Sequence, residues 1–253
     1  MRRLLIVPAA GLGSRLQASS PKALVPVNGR PMLDHLFDVC RPFVEAAAVV
    51  AHPSFSRAIA EHVEPWRRQL SVDVFEQARP TGMLDAILLA QPAVSAGRAD
   101  VVWIVWCDQV GLLPATLARL AAAMEAEPPP ALAFPTVWRT EPYIHFDRGE
   151  DGRIHAVRHR REGDDMPSEG EGDIGLFALS RHAFETRLQQ FASEVVPGTA
   201  TGERNFLPFI PWLAARDHVT TIPCTDAREA MGVNTPADLR DAEAWLRSRT
   251  VHP

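Results

Sequence analysis

The segment LLIVPAAGLGSRLQASSPKALVPV, residues 4–27, places small residues, glycines and two cations directly after an apolar run. Backbone N–H groups of a glycine-rich turn approach phosphate oxygens closely because no Cβ stands in the way. Arg15 and Lys22 add positive charge at two points, where charge-assisted hydrogen bonds to phosphate are strong. The segment therefore predicts a cradle for the triphosphate of a nucleotide, formed by Ala9, Ala10, Gly11, Gly13 and Ser14.

This loop matches neither of the two commonest phosphate-binding motifs. It has no GxxxxGK[ST] sequence, and GxGxxG fails because the next glycine after Gly13 is Gly29. The alternative interpretation is a strand-to-helix turn that uses glycine for its geometry and leaves both cations in solvent. An arginine followed by a Pro-Lys pair at this spacing favours the phosphate cradle.

A second candidate for chemistry is Asp108, which follows the apolar run VVWIVW. Open α/β sheets carry their active sites at the carboxyl ends of the strands, and Asp108 falls at such an end. An aspartate after a strand is often only the N-cap of the next helix. Here the next predicted helix begins at Pro114, so capping explains Asp108 poorly.

The elements that must position these residues alternate between strand-length apolar runs and segments of helical period, which is typical of βαβ units. The pattern predicts strands at Leu4–Val7, Ala47–Ala51, Val72–Phe75, Val101–Trp106 and Ala131–Val137. It predicts helices at Met32–Cys40, Ser54–Leu70, Gly82–Gln91 and Pro114–Ala126.

The pattern changes near Glu141 to a hairpin formed by YIHF and RIHAV, followed by an exposed loop, REGDDMPSEGEGD. A strand at IGLFAL, helices near Arg181–Gln190 and Asn205–Ala215, a strand near Val219–Ile222 and a helix at Pro236–Arg247 complete the chain. The expected fold is α/β, a doubly wound, mostly parallel Rossmann-like sheet with a small inserted β-rich acceptor lobe. We expect one domain over 1–253, with a nucleotide-binding half at 1–138 and an acceptor-binding half at 139–253.

The overall composition of the chain limits the classes of molecule it is expected to bind and the compartment in which it is expected to work. A formal net charge of -5 argues against a nucleic acid, which usually needs a broadly basic face. The three cysteines form no CxxC pair, and the apolar runs are too short to span a bilayer, so a reduced, cytoplasmic setting without a membrane is expected. The apolar run after two N-terminal arginines is a first strand in this interpretation and not a signal peptide. The sequence does not fix the oligomeric state.

The stretch PAAGLGSRLQASSPKALVPVNGRPMLDHLFD resembles the signature of the nucleotidyltransferases that make nucleotide sugars, most closely the N-acetylglucosamine-1-phosphate uridylyltransferases. QARPTGMLDA, VVWIVWCDQVGLL and GVNTPADLRDAEAWL extend the resemblance in the same order along the chain. It implies transfer of a nucleotidyl group from a nucleoside triphosphate, UTP first and CTP next, to a sugar-1-phosphate, with release of pyrophosphate.

The resemblance also implies roles for individual residues. Arg15 would hold the β and γ phosphates and Lys22 the α phosphate, while Gln77 and the backbone near Gly82 would read a pyrimidine edge. Asp108 and Asn234 would bind Mg²⁺, an ion that uses few protein oxygen ligands and keeps positions for phosphate and water.

The acceptor half departs from the uridylyltransferase pattern. Arg158 or His159 replaces a glutamate after the hairpin, and Asp173-Ile174-Gly175 replaces an N-T-G triplet. Tyr143, Asp173 and Glu203 are candidates for contacting the acceptor. The run at residues 158–161, RHRR, either grips an acceptor phosphate or is a solvated strand end balanced by the acidic loop after it.

Three alternatives stay open. Methylerythritol-phosphate cytidylyltransferases share the spacing from arginine to Pro-Lys, so cytidylyl or guanylyl transfer to a polyol phosphate stays open, and CDQVGLL suggests a molybdenum-cofactor nucleotidyltransferase. A nucleotide-binding regulatory module without catalysis is the third, although this chain has kept Lys22, Asp108 and Asn234. The chain ends soon after VNTPADL, so the acetyltransferase activity of bifunctional uridylyltransferases is not expected.

Overall fold

The structure is a computed structural model that describes residues 1–11, 16, 20–97 and 99–250. In chain order its strands are β1 (Arg3–Ala9), β2 (Pro26–Val27), β3 (Arg30–Pro31), β4 (Ala46–Ala51), β5 (Ser71–Glu76), β6 (Val101–Val105), β7 (Leu132–Thr140), β8 (Ile144–Arg148), β9 (Ile154–His159), β10 (Glu169–Asp173), β11 (Leu176–Ser180) and β12 (Val219–Pro223). Its α-helices are α1 (Met32–Cys40), α2 (Pro53–Val63), α3 (Met83–Leu89), α4 (Gln91–Gly97), α5 (Pro114–Met124), α6 (Leu188–Glu194), α7 (Phe209–Ala214) and α8 (Pro236–Thr250).

The first half of the chain forms a parallel sheet in the order β6, β1, β4, β5. Leu4 is in register with Ala46 of β4 on one side and with Val102 of β6 on the other. Helical segments connect β4 to β5 and β5 to β6, as parallel pairing requires. The predicted α/β class with a largely parallel sheet is confirmed, and this half brings its strand ends to one edge.

The second half extends the sheet with mixed pairing. β11 is antiparallel to both β6 and β7, while β10 continues along β7, also antiparallel. β12 is parallel to β7, and β8 and β9 form a separate two-stranded sheet. The inserted β-rich part therefore consists of the β8–β9 hairpin and β10, which lie beyond the parallel strands.

Both faces of the central sheet are covered. Leu5 and Val7 of β1 pack in one apolar cluster, while Leu4 and Ile6 of the same strand pack in a second cluster on the opposite face. Strands buried on both faces read as continuous apolar runs, which is why the pattern located them well. Within the described ranges, every helix is too short or too polar to traverse a lipid bilayer.

Several predicted helices have other bounds. α1 has the predicted range, but the helix predicted to Gln91 ends at Leu89, and a second helix, α4, begins at Gln91 with Pro92 in its first turn. The helix predicted to Leu70 ends at Val63, where a 3-10 turn containing Pro65 follows. The predicted helix at Arg181–Gln190 begins as a π-helical turn over Ala183–Arg187 and continues as α6 to Glu194.

The acidic, glycine-rich stretch predicted as a loop is only partly a loop, because β10 occupies its last residues. The glycines of this stretch allow a neighbouring strand to approach closely and are not there for flexibility. A Cβ at Gly172 would lie 2.6 Å from the carbonyl oxygen of Ile144, so glycine lets β8 cross this strand. Without tertiary contacts the same glycines read as turn formers.

Candidate active site

A cleft of about 840 Å³ opens at the carboxyl edge of the parallel strands. Residues that follow the strands or end them line it: Ala10 after β1, His52 after β4, Gln77 after β5 and Asp108 after β6. Sheets of this kind bind ligands at this edge because the chain leaves the strands there in loops that are free to vary. The cleft is therefore where the fold gathers side chains for chemistry.

Lys22, Asp108 and Asn234 meet on the floor of this cleft. The Lys22 Nζ donates to Asp108 Oδ2 at 2.5 Å and to Asn234 Oδ1 at 2.9 Å. Each partner of the Lys22–Asp108 ion pair is only 13% exposed at its side chain. Three distant parts of the chain thus contribute one cation and two oxygen atoms to a single point.

Local structure explains how Asn234 reaches that point. The residues NTPAD open α8 with a reciprocal cap, in which Asp238 Oδ2 accepts from the Thr235 N–H at 2.8 Å and Thr235 Oγ1 accepts from the Asp238 N–H at 3.2 Å. Asp238 also accepts from the Asn234 N–H, so the backbone of Asn234 is fixed at the helix entrance. The Val233 N–H donates to the Asp108 carbonyl, which joins the two segments directly.

A buried carboxylate braces the same two segments from behind. Glu229 has no exposed surface and accepts from the Leu113 N–H and the Thr116 hydroxyl on the segment that follows Asp108. It also accepts from the N–H groups of Thr225 and Asp226 on the segment that leads to Asn234. Glu229 could not be predicted as a brace because two of its donors, Leu113 and Thr116, are more than a hundred positions away in the sequence.

The oxygens at this point suit a divalent cation. Asp108 Oδ2 and Asn234 Oδ1 already converge on a positive charge, the Lys22 ammonium, and one carboxylate with one amide oxygen is a donor set that hard cations accept. Among the described residues there is no cluster of three or more His, Cys, Asp or Glu side chains that could enclose a metal. A site here would leave most of the coordination sphere to phosphate and water.

One wall of the cleft carries Gln77 and Gly82. The Gln77 side-chain amide donates to the Gly82 carbonyl at 3.0 Å, so the two predicted base-binding residues are coupled. Gly82 has φ 119, and a Cβ there would lie 2.4 to 2.8 Å from backbone atoms of Arg204. Only glycine fits this position, which explains its presence without reference to any ligand.

A second wall is formed by residues from the second half of the chain, Tyr143, Arg160, Arg161 and Glu203. It adjoins the first wall, because the Arg204 N–H donates to the Thr81 carbonyl at 2.7 Å. Arg161 forms a two-pronged ion pair with Glu203, with N–O distances of 3.0 and 3.2 Å. Arg158, which the sequence analysis grouped with them, pairs instead with Asp147 at 2.8 Å. The acid that balances Arg158 thus lies in β8 and not in the acidic loop after the run, while Arg160 and Arg161 line the cleft.

Two buried acidic groups near the floor have displaced pKa values. Burial raises the pKa of Asp173 to about 6, opposed by the Gly175 N–H that its carboxylate accepts. Burial and the neighbouring Asp108 charge raise the pKa of the Cys107 thiol to about 12. Cys107 is therefore a protonated thiol at neutral pH and a poor nucleophile.

The structure brings most of the predicted site residues together, but not all of them. Ala10, Gly11, Lys22, Gln77, Gly82, Asp108, Tyr143, Glu203 and Asn234 line the one cleft. Ala9 is buried in β1 and Asp173 ends β10, and neither is among the lining residues that the structure describes. Gly13, Ser14 and Arg15 lie outside the described residues.

Comparison with known proteins identifies the family. The model of the MobA-like NTP transferase domain matches residues 5–169 of the chain. The chain belongs to this family. The predicted kinship with nucleotidyltransferases is thereby confirmed, and the family's reaction is nucleotidyl transfer from a nucleoside triphosphate to a phosphorylated acceptor.

This NTP transferase is also similar to curated bifunctional proteins named GlmU. That of Maricaulis maris is 28% identical over 253 residues, which cover 98% of this chain and 53% of the relative. That of Azotobacter vinelandii is 30% identical over 257 residues, covering 98% of this chain and 52% of the relative. The chain thus spans about half the length of the curated relatives it matches.

Two features of the NTP transferase site were overlooked in the sequence. His52 follows β4 and caps α2 by accepting from the Ser54 N–H, so its position at a parallel strand end was the available signal. Lys22 is the only lysine among the 26 lysine and arginine residues of the chain. Every other residue of this count is an arginine, so composition alone singles out Lys22 as a candidate for a specific role.

Proposed function

We propose that this protein transfers a nucleotidyl group to a sugar-1-phosphate, with UTP favoured as donor and CTP next. The observation that carries the proposal is the convergence of Lys22, Asp108 and Asn234 on the floor of one cleft. Around that floor the lining has two chemically different parts, since Gln77 and Gly82 come from the first half of the chain and Tyr143 and Glu203 from the second. A transferase must orient two substrates against each other, and side chains for both are present around one floor.

The nucleotide would enter along the first wall. Gln77 and the backbone at Gly82 would read the pyrimidine edge, and the loop with Ala10, Gly11, Gly13 and Ser14 would hold the phosphates through its N–H groups. Ala9 is not part of this proposal, because it is the last residue of β1 and is buried there. Arg15 would neutralise the β and γ phosphates, and Lys22 would bind the α phosphate. The donor phosphate would then lie directly above Asp108.

Asp108 and Asn234 would hold Mg²⁺ through their side-chain oxygens. A divalent cation there supplies charge neutralisation for the phosphates of donor and acceptor. The Lys22 ammonium, which now bonds to both oxygens, would be released from them toward the α phosphate. Its compact charge and flexible stem suit such a shift better than a planar guanidinium does.

The reaction needs no protein nucleophile. An oxygen of the acceptor phosphate attacks the α phosphorus, the bond from that phosphorus to the bridging oxygen breaks, and pyrophosphate leaves with the electron pair. Phosphoryl chemistry of this kind depends on positioning and charge stabilisation. The protonated Cys107 thiol at the edge of the site is consistent with direct transfer.

We further propose that the whole chain acts as one catalytic domain. Residues 1–138 would bind the nucleotide, and residues 139–253 would supply the acceptor wall together with Asn234. Asn234 supports the single-domain proposal, because it belongs to the second half of the chain and its side chain contacts Lys22 of the first half on the floor of the cleft.

The test is pyrophosphate release with Mg²⁺, for UTP, CTP, GTP and ATP, against sugar-1-phosphates, polyol phosphates and molybdopterin as acceptors. Polyol phosphates and molybdopterin belong in the panel because the description of the matching family names transfer from an NTP and does not restrict the acceptor to a sugar. One productive pair fixes base and acceptor, and Asp108→Asn should abolish it. Asp38→Asn is the matched control, since Asp38 is partly exposed, forms an ion pair with Arg30 and does not line the cleft.

The competing hypothesis is a regulatory module that binds nucleotide without catalysis. Tight binding of a nucleotide with no pyrophosphate release from any acceptor in the panel would favour that module. In that case the substitution Asp108→Asn would leave the Kd for the nucleotide nearly unchanged. There would be no reaction for the substitution to abolish. Release that depends on Asp108 separates the enzyme from the module.

A further inference from the structure

The acceptor wall of the cleft is positively charged at the place where the sequence departs from the uridylyltransferase pattern. Arg160 and Arg161 both line the cleft, beside Tyr143 and Glu203. They sit in the 3-10 turn Arg160–Glu162 that ends the β8–β9 hairpin. The turn is held against the hairpin because the Arg160 N–H donates to the Tyr143 carbonyl at 3.0 Å.

The two arginines differ in how they are neutralised. Arg161 is matched by Glu203, which accepts both prongs of its guanidinium. Arg160 donates to the Pro142 carbonyl at 3.3 Å, and no described carboxylate forms an ion pair with it. A guanidinium has five N–H donors, so most of those on Arg160 are available to a ligand.

The nearby acids hydrogen-bond to other groups, so among the described residues they form no ion pair with Arg160. Glu162 accepts bonds from Ala200, Thr201 and Asn205, and Asp164 accepts from the His159 N–H. Asp147 is paired with Arg158. Each of these carboxylates thus has donors of its own, and Glu203 is held by Arg161.

We infer that the acceptor carries a second anionic group, a carboxylate or a further phosphate, in addition to the phosphate that attacks the donor, and that Arg160 binds it. This inference rests on the proposed function and specifies its substrate class. A neutral sugar would offer Arg160 only hydroxyl oxygens, which are weaker acceptors than an anion, and the carboxylate of Glu203 is already paired with Arg161. An anion on the acceptor forms charge-assisted hydrogen bonds with Arg160 in planar, two-pronged geometry.

The test compares two acceptors that differ only at the second charge. Glucose 1-phosphate and glucuronic acid 1-phosphate share the sugar and the attacking phosphate, and glucose 1,6-bisphosphate is a third probe. Binding is measured by titration calorimetry on the full chain with Mg²⁺ and the α,β-methylene analogue of UTP, and turnover by pyrophosphate release with UTP. We expect at least one of the doubly anionic probes to bind about tenfold or more tightly than glucose 1-phosphate.

Variants locate the effect. Arg160→Gln should remove the preference by raising KM for the anionic probe about tenfold, while kcat and the KM for UTP stay near their original values. Arg153→Gln is the matched control, because Arg153 is an exposed arginine in the turn of the same hairpin and does not line this cleft. Glu203→Gln should lower the Kd of the anionic probe further, since it leaves Arg161 without its carboxylate partner.

Equal binding of all three probes to the original chain would overturn the inference, as would a preference that survives Arg160→Gln. A kcat/KM for glucose 1-phosphate equal to that of the anionic probes would also overturn it, while leaving nucleotidyl transfer in place. Absence of pyrophosphate release with every acceptor and nucleotide defeats the proposed function, and this inference with it.

Discussion

The Lys22 Nζ lies 2.5 Å from Asp108 Oδ2, although the two residues are 86 positions apart in the chain. Both side chains are largely withdrawn from water, so each charge depends on the other for stabilisation. Asn234 adds a neutral oxygen 2.9 Å from the same ammonium. The floor of the cleft therefore carries a charge-neutral ion pair, and an incoming phosphate would compete with Asp108 for the Lys22 ammonium. We expect the flexible Lys22 side chain to turn from Asp108 toward that phosphate.

Lys22→Ala should lower turnover by about a hundredfold or more, the loss expected for one preorganised stabiliser of developing charge. Lys22→Arg should fail to restore it, because a planar guanidinium does not fit between two oxygens that a compact ammonium contacts at 2.5 and 2.9 Å. Initial rates of pyrophosphate release measure both. Arg57→Ala, on the exposed surface of α2, is the control and should keep full activity.

Bound nucleotide should protect Lys22 from amine-reactive reagents. Because Lys22 is the only lysine, the chain offers one side-chain amine besides the N-terminal amino group. We expect mass spectrometry of the labelled protein to show slower modification of Lys22 when UTP and Mg²⁺ are present. Modification of the exposed Met1 amine is the internal control and should not change. Equal labelling of Lys22 with and without nucleotide would contradict its proposed role.

The parallel half was predictable from sequence because its strands are buried on both faces and read as apolar runs. Met32–Cys40 has its predicted bounds, and Asp108 is at the expected strand end. The acceptor half was harder, because its local signals mean different things once packed. The glycines of β10 allow β8 to approach, and Glu229 is recognisable only when residues 113 and 225 are adjacent.

Gly82→Ala should destabilise the protein much more than Gly152→Ala does. Both glycines have positive φ, at 119 and 76, so either substitution carries backbone strain. A Cβ added at Gly152 would have no atom within 4 Å, whereas one added at Gly82 would lie 2.4 to 2.8 Å from the backbone of Arg204. We expect a cost of about 1–2 kcal/mol at Gly152 and more at Gly82, measured by urea unfolding. Equal costs would show that the Arg204 segment moves freely.

Glu229→Gln should weaken both folding and the site. The new amide group faces N–H and O–H donors that the carboxylate now satisfies, so we expect a loss of about 3 kcal/mol in the free energy of unfolding. The segments bearing Asp108 and Asn234 would also lose their common brace, which should raise the Mg²⁺ concentration needed for half-maximal activity. Glu61→Gln, on the exposed face of α2, is the control for both measurements. A stable variant with an unchanged Mg²⁺ requirement would contradict the bracing role.

Glu162 should make stability fall as the solution becomes acidic. Its bond from the Thr201 hydroxyl, followed by those from Asn205 and two backbone N–H groups, lowers the pKa of Glu162 to about 2 from an ordinary value of 4.5. A carboxyl group with a lowered pKa in the folded state binds protons more readily when unfolded, so its contribution is complete above pH 4.5 and is lost as the pH falls toward 2.

In urea unfolding, Glu162→Gln should therefore be less stable than the original chain at neutral pH, and the difference should shrink below pH 4.5. Thr201→Val keeps the carboxylate but removes its leading donor, so it should move the acid transition toward higher pH instead of abolishing it. Identical pH profiles for all three proteins would contradict the assignment. If the profiles separate as expected, Glu162 holds the segment that presents Glu203 to Arg161, and the acceptor wall depends on this carboxylate for its shape.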